Sequence, residues 1–169
     1  WALEIGAVLG NNVDRVEWDN ALQKANIEPP DALIAELLRL RLIVRADTIS
    51  NWSFVHALFR ETVLKHAKDG RRIAEWSSIC ADSIVNQRAD WTRWARLLVA
   101  GGRGKEALEP LHQAIFHEML AEEDGRAKNL YNLREQIIQS MNVRPGGRLD
   151  FTRQLCLFWL EANTEDMSA

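Results

Sequence analysis

Cysteine is scarce: the chain holds two, Cys80 and Cys156, each set among apolar neighbours in a segment with helical periodicity. That usage suits buried free thiols in a reducing compartment and gives no disulfide framework. Long apolar runs are missing as well. None approaches the roughly 20 residues that span a bilayer, and the first residues lack the basic-then-apolar order of a secretory signal. A charge excess of one sign is also lacking. The net charge is −3, divided as −1 up to Lys68 and −2 beyond it, so neither half is a basic arm or an acidic tail. Proline is limited to four residues, while 47% of the chain is apolar and 27% charged, which is the composition of a folding globular protein. A soluble cytoplasmic chain is expected, and the opening at Trp1 inside an apolar helical pattern is read as the edge of an excised fragment.

Apolar spacing organises what is present. Leu3, Ala7 and Val8 predict a helix over 2–9, ended by Gly10-Asn11-Asn12. Asp14 is placed to cap a second helix over 15–25. Pro29-Pro30 start a third over 31–42, with a stripe of Leu33, Ile34, Leu37, Leu38 and Leu40. Leu42 to Arg45 is then β-branched and apolar, Asp47-Thr48 reads as a turn, and Ser50 to Val55 alternates with Trp52 and Phe54 on one side, which predicts one short β-hairpin. Three helices and a hairpin are the order of a winged helix, 1–55. Beyond it every segment reads as helix: 57–67, 71–85, 90–100, 105–120, 125–141 and 149–162, with an acidic end from Glu161 that frays. The fold class is mainly all-α, as a winged helix (1–55), connecting helices (56–88) and antiparallel helical hairpins (89–169).

In the hairpin turning at Gly101-Gly102-Arg103-Gly104, Trp91, Trp94, Ala95 and Leu98 precede the turn and Ala107, Leu111 and Ala114 follow it. The alternation of large and small packing residues resembles a tetratricopeptide repeat. Small residues let two antiparallel helices approach closely, and the two tryptophans fill the gap to the preceding helix.

The segment Trp52-Ser53-Phe54-Val55-His56-Ala57-Leu58-Phe59-Arg60-Glu61-Thr62-Val63, with Arg71-Arg72-Ile73-Ala74-Glu75-Trp76 beyond it, resembles the strand-to-helix junction of bacterial STAND-class signalling ATPases. Trp76 stands where that family usually has a second histidine. Leu3 to Gly10 is similar to the family's first winged-helix element, and Leu33 to Arg45 to its leucine-rich helix running into a wing. The resemblance covers about the first half of the chain. It implies an element that follows a nucleotide-binding domain, leads into tetratricopeptide-like repeats, and holds or relays a nucleotide-dependent switch through contacts with other domains and protein partners. It also singles out His56, Arg60 and Glu61, with His56 expected to fix the helix start through its hydrogen bonds. Thr92 and Arg96, on the first helix of the repeat-like hairpin, are the expected partner-facing positions.

No catalytic machinery is visible. Gly101-Gly102-Arg103-Gly104-Lys105-Glu106 lacks the preceding strand of a phosphate-binding loop and carries a carboxylate where Mg²⁺ needs a hydroxyl. His117-Glu118 begins like a zinc-protease helix, but Ala121 occupies the second histidine position, and His112 lies well off that face. No cofactor, metal or nucleophile is expected. The alternative is a DNA-reading winged helix using Arg39 and Arg41 of the third helix. Asp31 and Glu36 on the same helix and the absence of a basic stripe weigh against it, because phosphate neutralisation dominates such affinity. Most of the seven tryptophans are expected in the core. Trp1 is expected to be exposed, with the first helix facing an upstream domain.

Overall fold

A computed structural model of the chain describes residues 1–46, 51–87, 90–121, 123–141 and 154. The expected turn at Asp47-Thr48, the break at Val143 to Gly147, the last helix over 149–162 with Cys156 and Trp159, and the fraying end lie outside them. Among the described residues are eight helices and a small antiparallel sheet, so the protein is mainly α-helical. Two compact units are present: residues 1–87 with 96–103, and residues 88–95 with 104–169.

The first unit begins with α1 (Ala2–Leu9), β1 (Asn12–Val13), α2 (Arg15–Lys24), α3 (Asp31–Arg39), β2 (Ile43–Arg45) and β3 (Trp52–Phe54). The sheet order β1-β3-β2 completes the winged-helix arrangement. Capping fixes α2, since the Asp14 carboxylate accepts the N–H groups of Val16 and Glu17. The stop of α3 is equally local: Arg41 takes a left-handed φ of 56°, which turns the chain out of the helix and into β2. The expected hairpin is therefore present, but it belongs to a three-stranded sheet. The segment around Asn12, expected only to end α1, pairs with Ser53 and Trp52 as an edge strand. Gly10 (φ 149°) makes the bend into it.

Period-two alternation puts Val13, Ile43, Trp52 and Phe54 on the buried face of the sheet. There Trp52 meets Trp18 edge-on at 5.7 Å and Phe54 at 5.1 Å. The indole N–H of Trp18 donates to the Ala2 carbonyl at 2.9 Å, so this large aromatic fills the core with its one polar group satisfied. Helices α4 (Ala57–Asp69) and α5 (Ile73–Ala81) pack on α1 as well. α1 is thus the central rod of this unit, with Ala2, Ile5, Ala7 and Leu9 buried, rather than a face turned outward. Trp1 itself is exposed.

α6 (Trp91–Ala100) supplies residues to both units. In the second unit α7 (Gly104–Leu120) and α8 (Asp124–Ser140) form a helical hairpin. Ala107, Leu111, Ala114 and Ile115 of α7, and Ala127, Leu130 and Tyr131 of α8, are buried at helical spacing. Close approach is needed at Gly104, where a Cβ would stand 3.0 Å from Ile137 Cγ2. Trp91 and Trp94 lie 5.8 Å apart on α6 and are half-buried.

Candidate functional site

The strongest polar construction in the first unit is centred on a carboxylate. Glu4, the one charged residue of α1, is 3% exposed. Its Oε1 accepts from Arg72 Nη2 at 2.7 Å and lies 2.6 Å from His66 Nδ1; its Oε2 accepts from Arg72 Nε at 2.9 Å and Trp76 Nε1 at 2.8 Å. Bidentate arginine and two further donors saturate both oxygens, which is what a buried carboxylate requires. The hydrogen bonds from Arg72, and then those from Trp76 and His66, hold the Glu4 carboxyl at about 2 against burial, which alone would raise it. Trp76 is therefore a donor in this cluster.

Glu4 makes the stability of the first unit depend on pH. Its folded value lies below the ordinary 4.5, so its contribution is complete above 4.5 and disappears as pH falls through about 2. The difference amounts to about 3 kcal/mol. Urea midpoints measured between pH 5 and pH 2 should fall steeply for the wild type and much less for Glu4→Gln; parallel acid profiles would refute the assignment.

The junction into α4 is held differently from the sequence expectation. His56 is the N-cap residue, but its ring is exposed and makes no capping hydrogen bond. Its carbonyl accepts from Phe59 and Arg60 instead. Arg60 is the anchor: its Nε donates to the Ala7 carbonyl at 2.9 Å, satisfying a group at the C-terminal end of α1. Burial lowers the Arg60 pKa, although an arginine stays charged. Glu61 is exposed.

The outer face of the winged helix has a distinct character. Of the α3 stripe only Leu37 is buried, whereas Ile34 and Leu38 are half-buried and Leu33 and Leu40 are 40% and 50% exposed. Val44 on β2 is also exposed. Of the cations here Arg39 is paired, whereas Arg41 and Arg45 are exposed. Arg39 grips Glu36 at 2.6 and 2.8 Å, and Arg41 sits in the turn after the helix. At the start of α3, Asp31 accepts from Arg15 Nη2 at 2.9 Å.

Beneath α3 lies a cleft of about 330 Å³ against α2 and the sheet. Arg15 frames it, with Nε on both oxygens of Asp19 and its guanidinium 5.3 Å above the Trp18 ring. Asn51 accepts the Arg15 backbone N–H at 2.9 Å and donates to Asp14 at 3.3 Å, tying β3 to the start of α2. The i, i+4 pair Arg15 and Asp19 is visible in the sequence; its assembly with Asp31, Asn51 and Trp52 is not.

The remaining expected positions are separated. Thr92 is half-buried and donates to Glu118 at 3.5 Å within the second unit, while Arg96 is exposed and belongs to the first. His112 is buried against Phe116 and His117 is exposed. Among the described residues no group of three or more His, Cys, Asp or Glu side chains could hold a metal ion, and no helix is long and apolar enough to cross a membrane. Compared with known proteins, the chain matches no family model, no curated protein and no solved structure.

Proposed function

We propose that this chain is a non-catalytic regulatory and protein-interaction element of a multidomain signal-transducing ATPase, acting in the cytoplasm by contact with other domains of its parent protein and with protein partners. The observation that carries the proposal is the surface of α3. Where a DNA-reading winged helix offers cations to phosphate, this one offers Leu33 and Leu40, with Arg39 already neutralised by Glu36. Exposed aliphatic side chains on a rigid helix suit a protein surface, because their burial on contact is favourable and costs no desolvation of charge. The resemblance of Phe54 to Glu61 to the STAND-class junction names the first partner to try.

The test uses two probes on the full chain. A nucleotide-binding domain from the same polypeptide should bind with little dependence on salt, and Leu33→Asp with Leu40→Asp should weaken it at least about tenfold, since hot-spot apolar contacts are each worth more than about 1 kcal/mol. Labelled duplex DNA should show no saturable binding at physiological ionic strength. Duplex binding that falls steeply with salt and is lost in Arg39→Gln with Arg41→Gln would replace the proposal with the DNA-reading alternative.

A further inference from the structure

We infer that the exposed face of α3 is also a two-fold interface, on which a second copy of this chain docks antiparallel and covers the surface offered to other partners. Leu33 and Leu40 are 40% and 50% exposed and stand two turns apart, with Glu36 between them on the same stripe. An apolar pair set symmetrically about a midpoint is what a dyad requires. Each leucine then meets the other's copy, Leu33 against Leu40 and Leu40 against Leu33.

Charge favours a copy over other occupants and sets its direction. The approach to α3 is acidic, with Glu28 exposed and Asp31 held by Arg15. Its exit is basic, with Arg39 exposed and Arg41 in the left-handed turn. Among the described residues neither Glu28 nor Arg41 has an ion-pair partner. A parallel copy sets like charge on like, whereas an antiparallel copy sets each acidic end on a basic end and opposes the two helix dipoles. At the midpoint the pair Glu36 and Arg39, with side chains 49% and 69% exposed, meets the same pair reversed, so four charges alternate in sign. An unrelated surface matches this pattern only by chance, but a second copy always carries it. The nine residues of α3 are about 13 Å long, so the contact is small and the dimer weak, as suits a cover that a tighter partner displaces. As regulation of the docking face this rests on the interaction reading above; the self-contact itself does not.

Sedimentation equilibrium of the full chain in reducing buffer measures the self-contact. The wild type should pass from monomer to dimer with a Kd of roughly 0.1–1 mM, weakening as salt screens the charged ends. Leu33→Asp with Leu40→Asp should raise that Kd at least about tenfold without a change in melting temperature. Glu28→Lys with Glu36→Lys in one chain, and Arg39→Glu with Arg41→Glu in another, should each leave a folded monomer. An equimolar mixture of these two chains should dimerise at least as tightly as the wild type, since acid then meets base at every charged contact. A wild type that stays monomeric to about 2 mM, a dimer indifferent to the leucine substitutions, or reversed chains that fold but do not pair would overturn the inference. Binding of the nucleotide-binding domain by the two monomeric reversed chains keeps the outcomes apart. A monomeric wild type that binds this domain sinks the self-contact alone, and a dimer whose monomeric variants bind no domain sinks only the interaction reading.

Discussion

Replacing Glu4 by alanine should destabilise the first unit by about 3–5 kcal/mol, the usual consequence of removing one partner from a buried charge cluster. Three donors lose their acceptor at once: Arg72, Trp76 and His66 all converge on this carboxylate. Trp76 is 4% exposed and cannot turn its N–H to water, whereas Arg72 and His66 have routes to solvent, which places the main loss at the indole and the core contacts of α5. Glu4→Gln should also cost heavily, because its amide directs hydrogens at groups that are themselves donors. Urea unfolding of the full chain, followed by tryptophan emission, measures both. A combined Glu4→Leu, Arg72→Met, Trp76→Phe chain should recover most of the loss, since an apolar cluster carries no unsatisfied donor. A Glu4→Ala loss under about 1 kcal/mol would mean the cluster only decorates the packing of α1.

Glu4 also marks where sequence reading stops. The helix Ala-Leu-Glu-Ile-Gly-Ala-Val-Leu is apolar on every side, so its lone carboxylate had to be either exposed or paired. Its partners stand more than 60 residues away, beyond the reach of any local pattern. By contrast, α1, α2, α3 and α4 are legible from spacing and caps, because each is specified within one or two turns. β2 and β3 are legible from their β-branched and aromatic content. β1 is not, since two residues cannot display a period and Asn12-Val13 becomes a strand only by pairing with Trp52 and Ser53. α3 and α5 end earlier than their apolar patterns, α3 because Arg41 turns left-handed before β2. The cleft needs Arg15, Asn51 and Arg45 brought together from three elements, so local pattern carries no trace of it.

Gly6 gives the second large effect, through shape rather than charge. A Cβ there would lie 2.7 Å from Cη2 and 3.0 Å from Cζ2 of Trp52, a ring wedged between Trp18 and Phe54 and 2% exposed. Gly6→Ala improves helix propensity by about 1 kcal/mol but forces this ring to move, at roughly 1–3 kcal/mol, so a net loss of up to about 2 kcal/mol is expected. Gly6→Val adds two methyl groups to the same contact and should cost more than about 3 kcal/mol. Trp52→Phe removes the atoms that meet the new Cβ. It is destabilising alone, because it leaves a cavity, yet Gly6→Ala should be nearly neutral or favourable in its presence. The resulting coupling, about 1–2 kcal/mol between positions on α1 and β3, isolates the contact from any general weakening of the helix. Additive losses in that cycle would place the ring of Trp52 away from α1, and with it the seam on which the sheet is mounted.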